Sequence, residues 1–134
     1  MNDDHVLLVE RIFDAFNRRD LSAIDEICDE NVEFFPITGE ALGRRAPYMG
    51  PAGLREYLAE MSRIWEELQI TPSEIARRGD RVLVRGRVYV RSHELGIRDM
   101  PVAWIWKVRD GRFVWGQVFP DPEEAVERFT ALSA

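Results

Sequence analysis

The 134-residue sequence predicts an α+β fold in which three N-terminal helices and a short C-terminal helix gather on one side of a largely antiparallel sheet. If this sheet curves strongly over the helices, it leaves a cone. Two observations predict this class. Apolar residues recur at helical spacing through most of the first half, and from residue 69 onward they alternate with a period of two. The length suits one domain spanning residues 1–134, and a cone with an open end offers a natural pocket.

Three helices are predicted before the main run of strands. Residues 4–18 place five large apolar side chains on one helical face, namely Leu8, Val9, Ile12, Phe13 and Phe16. Asp20 can cap a second, shorter helix over residues 21–30, because its carboxylate can accept a hydrogen bond from a free N–H of the first turn. Pro51 suits the first turn of the third helix, residues 51–68.

The strands follow a simple order. A short strand over residues 31–37 precedes a loop from Thr38 to Pro51, and a loop of this length is typical of a lid or the mouth of a site. An antiparallel meander then occupies residues 69–78, 81–92, 99–109 and 112–120. The last helix opens at Asp121 and buries Ala125, Val126 and Phe129.

Composition argues against several classes of partner. The formal net charge is −6, whereas proteins that bind nucleic-acid duplexes need clustered positive charge. No apolar run near the start is long enough for a signal peptide or a membrane span, so we expect a cytoplasmic protein without a membrane partner. The single cysteine, Cys28, fits a small buried residue. His5 and His93 form no ligand cluster and no phosphate-binding glycine loop occurs, so no metal or cofactor is expected.

Four segments of the chain carry a family resemblance. "AFNRRDLSAIDEICDENVEFFP", "YMGPAGLREYL", "GDRVLVRGRV" and "WIWKVRDGRFVWGQVFPD" resemble, in this order, segments of the SnoaL-like group of the nuclear transport factor 2-like superfamily. The resemblance spans about residues 5–130 and implies a single SnoaL-like domain over residues 1–134. It implies a conical α+β barrel, in which a strongly curved mixed or antiparallel sheet surrounds a deep pocket, packed as a homodimer through the sheet. It does not imply a reaction, because the same cone serves enzymes, binding proteins and scaffolds.

The catalytic positions of two related enzyme groups can be carried over residue by residue. The tyrosine and two aspartates of ketosteroid isomerases correspond to Ile12, Phe34 and Val102, none of which can transfer a proton. The arginine and two aspartates of limonene-epoxide hydrolases correspond to Arg87, Tyr89 and Val118, so only the arginine is kept. The known catalytic carboxylates are therefore missing. The question of an enzyme stays open, with Arg87, Tyr89 and Asp121 as candidates.

A ligand pocket is the function that the resemblance favours. Its expected lining is largely apolar and consists of Ile12, Phe16, Phe34, Tyr48, Tyr57, Met61, Trp65, Arg87, Tyr89, Trp104, Trp106 and Val118. The number of indole rings favours a wall for a flat or polycyclic hydrophobic molecule, such as a ketone or a polyketide-like acid. A well-filled aromatic core is the alternative explanation.

Residues 81–92, "RVLVRGRVYVRS", allow two orientations of their arginines. The alternation alone places the valines inward and the arginines toward solvent or a dimer mate. The resemblance places Arg87 in the pocket, which a bulge at Gly86 would allow. We favour Arg87 and Tyr89 pointing inward, with Arg87 orienting a ligand oxygen, and Arg85 or Arg91 pairing across a dimer. The alternative for Arg87 is a pair with a buried carboxylate, Glu33 or Asp121.

Two functions therefore stand against each other. The first is a protein that binds a small hydrophobic metabolite and acts on it, if at all, as a cofactor-independent isomerase, cyclase or hydrolase. The second is a non-enzymatic dimeric module that interacts through the outer face of the sheet. The direction of the arginines and the presence of a void near the indoles distinguish them.

Overall fold

A computed structural model of the protein describes residues 4–36 and 47–132. This part of the chain forms four helices, α1 (Asp4–Arg18), α2 (Leu21–Ile27), α3 (Gly50–Ile64) and α4 (Pro122–Leu132). It also forms six strands, β1 (Cys28–Phe35), β2 (Tyr48–Met49), β3 (Glu67–Arg78), β4 (Arg81–Ser92), β5 (Gly96–Arg109) and β6 (Arg112–Phe119). The predicted α+β class, with N-terminal helices held in a curved sheet, is confirmed.

The strands form one mixed sheet in the order β2-β1-β6-β5-β4-β3. The meander from β3 to β6 is antiparallel as predicted, and β1 joins β6 in parallel. The early strand was predicted to begin at residue 31, but it begins at Cys28, directly after α2. The predicted loop from Thr38 to Pro51 ends in β2, which pairs with β1, and its residues 38–46 lie outside the described residues.

The main core lies between α1, α2, α3 and one face of the sheet. Helix α1 buries the five apolar side chains that its spacing predicted. They meet the even-numbered residues of the meander, Val82, Val84, Val102, Trp104, Trp106 and Val118. Because successive side chains of a strand point to opposite faces, the even-numbered positions of β4 and β5 all belong to this concave side.

Helix α4 covers the other face of the sheet. Its Ala125 and Phe129 are buried against odd-numbered residues of the strands, namely Leu83, Ala103, Ile105 and Phe119. The helix was expected on the same side as the other three, and this expectation is wrong. With both faces covered, the run from Val102 to Trp106 in β5 is buried at every position.

Side chains from the end of α1 satisfy the edge strand β3. The Asn17 side-chain NH2 donates to the Ile70 main-chain carbonyl at 2.9 Å, and the Ile70 N–H donates to the Asn17 side-chain oxygen Oδ1 at 2.7 Å. Arg19 donates to the carbonyls of Trp65 and Glu66, at 2.9 and 3.2 Å. An edge strand exposes unpaired main-chain groups, and the Asn17 bonds satisfy those of Ile70. The Arg19 bonds attach the end of α1 to the two residues just before β3.

Candidate functional site

A cavity of about 100 Å³ lies between the helices and the concave face of the sheet. Its walls are the side chains of Phe16, Tyr57, Met61, Trp65, Leu68, Ile70, Val88, Val90, Met100, Val102, Trp104 and Val118. One water needs roughly 10–15 Å³, so the space is much larger than a single packing defect. Tyr57, Leu68, Val88 and Met100 are the least buried of these residues, which indicates the side on which the cavity opens.

The period of each element explains which side chains reach the cavity. On α3, Tyr57 and Met61 are four residues apart and therefore lie on one helical face. On the sheet, every lining residue is even-numbered, and neighbours face each other directly, as Val88 with Met100 and Trp104 with Val118. The cavity is thus walled by the same two apolar stripes that form the core.

Few polar groups line the cavity. Three lining side chains carry a polar hydrogen, the Tyr57 hydroxyl and the indole N–H groups of Trp65 and Trp104. None of the three donates to another group within the part of the chain that the structure describes. Burial raises the pKa of the Tyr57 phenol well above its ordinary value, so this hydroxyl stays protonated. None of the twelve lining residues is a carboxylate, an imidazole or a cation.

Aromatic rings hold Tyr57 in place. Its ring makes edge contacts with Phe34, Tyr48 and Phe16, with centroids 5.0, 5.6 and 6.1 Å apart. Tyr48 in turn donates its hydroxyl to the Glu60 carboxylate. The Tyr57 side chain, which lines the cavity, is therefore supported by a packed aromatic cluster.

Half of the predicted lining residues border the cavity. These are Phe16, Tyr57, Met61, Trp65, Trp104 and Val118. Ile12, Phe34 and Trp106 instead fill the adjoining core, where Trp106 stacks on Phe34 with centroids 5.6 Å apart. Tyr48 was expected on the loop at the mouth, but it lies in β2 and is fully buried.

Arg87 and Tyr89 lie on the outer face, so the expectation that they point inward is wrong. Strands β4 and β5 pair without any break in register. The bulge lies instead on β3 at Ser73, across from Gly86, where the β3 backbone leaves no room for a Cβ. The alternation of β4 therefore continues unbroken, with Val88 in the cavity wall and its neighbours outside.

The arginines of β4 find carboxylates on their own chain. Arg87 bonds Asp99 at 3.0 Å, with its side chain 56% exposed, rather than Glu33 or Asp121. The expectation that Arg85 or Arg91 pairs across a dimer stays a prediction. Within the chain, Arg85 pairs with Glu123 at 3.2 Å, and Arg91 with Glu66 and Glu67 at 3.1 and 2.9 Å.

The remaining catalytic candidate caps a helix. Asp121 is exposed and accepts a hydrogen bond of 3.0 Å from the Glu123 N–H at the start of α4. This is the capping role that its position before Pro122 predicts, and it places the carboxylate outside the cavity. Across residues 4–36 and 47–132, no three potential ligand side chains are grouped to hold a metal ion. In the same ranges, no helix has the length and hydropathy of a membrane span.

Six lining residues were not among the predicted site residues. They are Leu68, Ile70, Val88, Val90, Met100 and Val102. Val88 and Val90 had been assigned to the inward face of their strand, and the alternation of β5 places Met100 and Val102 on the face that carries Trp104. The parity of the strands was the signal that could have found them.

Several solved structures share this fold. A nuclear transport factor 2-like protein of unknown function from Burkholderia pseudomallei has a TM-score of 0.80 at 19% identity, with 94% of this chain and 97% of that chain covered. TerC, co-crystallised with polyporic acid, has a TM-score of 0.79 at 24% identity, with coverage of 93% and 97%. IdmH from Streptomyces antibioticus, a proposed polyketide cyclase, has a TM-score of 0.74 at 18% identity, with coverage of 96% and 99%.

At these identities the structural similarity establishes the fold and not the reaction. A comparison with curated proteins finds no match. The family comparison is more direct. The SnoaL-like domain matches residues 9–115, which is most of the chain and includes every described residue that lines the cavity except Val118. This chain therefore belongs to the SnoaL-like domain family.

Proposed function

We propose that this SnoaL-like protein binds a small, largely apolar organic molecule in the cavity beside Trp104. The observation that carries the proposal is an apolar void of about 100 Å³ beside a core of buried side chains. An apolar molecule of matching size would restore the contacts that the lining side chains lack across this void. Relatives of this fold were crystallised with organic molecules, TerC with polyporic acid and another with trimethylamine.

Binding is better supported than acid–base catalysis. An isomerase or hydrolase of this fold needs a carboxylate or an imidazole beside its substrate, and the described lining residues supply neither. Arg87, Tyr89 and Asp121 lie outside the cavity. A reaction of the cyclase type would therefore depend on how the walls fold and orient the substrate.

The interaction module is less well supported. Helix α4 covers a large part of the outer sheet face, and the arginines of β4 are paired within the chain. The homodimer implied by the resemblance, the single domain over residues 1–134 and the cytoplasmic location stay predictions. Light scattering in solution tests the first of them.

Toluene binding tests the proposed function. We expect toluene to shift the methyl resonances of Val88 and Val118 in a saturable way, because both methyl groups face the void. Val88→Phe fills the cavity from its wall and should abolish the shifts. Ile97→Phe adds a similar ring on the same hairpin at a position that is 64% exposed, and should leave binding unchanged. The absence of saturable shifts in the wild type, or toluene binding that survives Val88→Phe, contradicts the proposal.

A further inference from the structure

Among the described residues, the lining of the cavity offers hydrogen-bond donors and no charge. Its polar hydrogens belong to Tyr57, Trp65 and Trp104, and indole groups can only donate. The Tyr57 hydroxyl also has a proton to donate at neutral pH, as an ordinary phenol does, and burial raises its pKa further. A ligand in this space meets donors that lack partners among the described residues, so an acceptor atom on the ligand would satisfy at least one of them.

Charged ligands are disfavoured by the same arrangement. An anion would leave its hydration shell without meeting a cation among residues 4–36 and 47–132 that line the cavity, because Arg87 is held by Asp99 and Arg91 by Glu66 on the outer side of the sheet. A cation would meet the positive ends of donor groups. The nearby carboxylate of Glu60 is engaged by Tyr48 and is not part of the lining.

We propose that the cavity selects a neutral, ring-sized ligand whose carbonyl-type oxygen accepts a hydrogen bond from the Tyr57 hydroxyl. This inference rests on the proposed function and adds the chemical class of the ligand and the residue that orients it. The aromatic contacts with Phe34 and Tyr48 fix the phenol before a ligand arrives, so little conformational freedom is lost when the bond forms.

Three probes of matched shape test the proposal, namely acetophenone, α-methylstyrene and benzoate. They have the same number of non-hydrogen atoms and share a phenyl ring, but present a ketone oxygen, a methylene group and a carboxylate at the same place. Affinities are measured by NMR titration for the wild type, Tyr57→Phe and Tyr89→Phe. Tyr89→Phe is the matched control, because it removes the same hydroxyl from the outer face of β4.

We expect Tyr57→Phe to weaken acetophenone binding about fivefold, the effect of one lost net hydrogen bond, and to leave α-methylstyrene unchanged. Tyr89→Phe should change neither, and benzoate should bind the wild type more weakly than acetophenone. Equal effects of Tyr57→Phe on both neutral probes would overturn the role of Tyr57 while leaving the cavity as a binding site. Benzoate binding as tightly as acetophenone would overturn the neutral class. If neither α-methylstyrene nor acetophenone binds the wild type, the proposed function is rejected as well.

Discussion

Replacing Asn17 tests how the end of α1 holds the edge of the sheet. Asn17→Ala removes two hydrogen bonds to the main chain of Ile70, which line up at 2.9 and 2.7 Å. Each bond contributes about 1 kcal/mol net. Water can only partly replace the lost bonds to the Ile70 main chain, because this residue is only 7% exposed. We therefore expect a loss of about 2–3 kcal/mol in the free energy of unfolding. For a chain of 134 residues this lowers Tm by about 7–11 °C.

Urea unfolding measures the loss, and amide hydrogen exchange locates it at the Ile70 N–H, which should exchange faster. Asn17→Asp keeps the acceptor for that N–H but sets a carboxylate against the Ile70 carbonyl, so it should also destabilise the protein. Asn31→Ala, at an exposed position, is the control and should have little effect. An Asn17→Ala protein within about 0.5 kcal/mol of the wild type, with unchanged exchange at Ile70, would refute the reasoning, since surface changes are usually that small.

Three further predictions concern the core, the outer face and the single thiol. Gly116→Ala should cost about 2 kcal/mol in urea unfolding, because its Cβ would lie 2.4 Å from two ring atoms of Trp106; an equal cost in a Trp106→Leu background contradicts this cause. Arg87→Ala should cost less than about 1 kcal/mol and leave toluene binding unchanged, because the pair with Asp99 is exposed; lost binding would return Arg87 to the site. Burial raises the pKa of the Cys28 thiol from 9.0 to about 12, so the folded state favours the protonated thiol. The resulting contribution to the free energy of unfolding is complete below pH 9 and is lost as pH rises from 9 toward 12. Cys28→Ala should make the fall in unfolding free energy between pH 8 and 10 smaller, and an unchanged fall counts against a buried thiol.

The orientation of β4 was predictable from its own residues and was obscured by the resemblance. The alternation of valines and arginines predicts Arg87 outside, and the structure agrees. Position-by-position transfer from an epoxide hydrolase predicts it inside. A transfer of residue roles along the sequence does not show on which strand a bulge lies. Here the bulge lies at Ser73 on β3, so the alternation of β4 is not shifted.

The division between cavity wall and core could not be predicted. Phe16 and Phe34 are both apolar, inward-facing and fully buried, yet one borders the void and the other stacks on Trp106. A void arises where side chains from three or more elements fail to meet, and this depends on the exact depth of each helix. Sequence periods give the direction of a side chain and not this distance.

The position of α4 was missed for a related reason. The spacing of Ala125 and Phe129 shows that one face of this helix is apolar, but it does not show which side of the sheet receives it. The buried run from Val102 to Trp106 contained the missing information, because a strand that is apolar at successive positions needs cover on both faces.

That cover is supplied by the last eleven residues of the described chain, α4. While the protein is being made, the segment "VAWIW" emerges from the ribosome well before the helix that shields it, so the nascent sheet presents an uncharged, β-branched and aromatic stretch to other chains. Proteins shortened before Pro122 would keep this stretch uncovered permanently. Their yield as dispersed protein, rather than their ligand affinity, is the property that should suffer first.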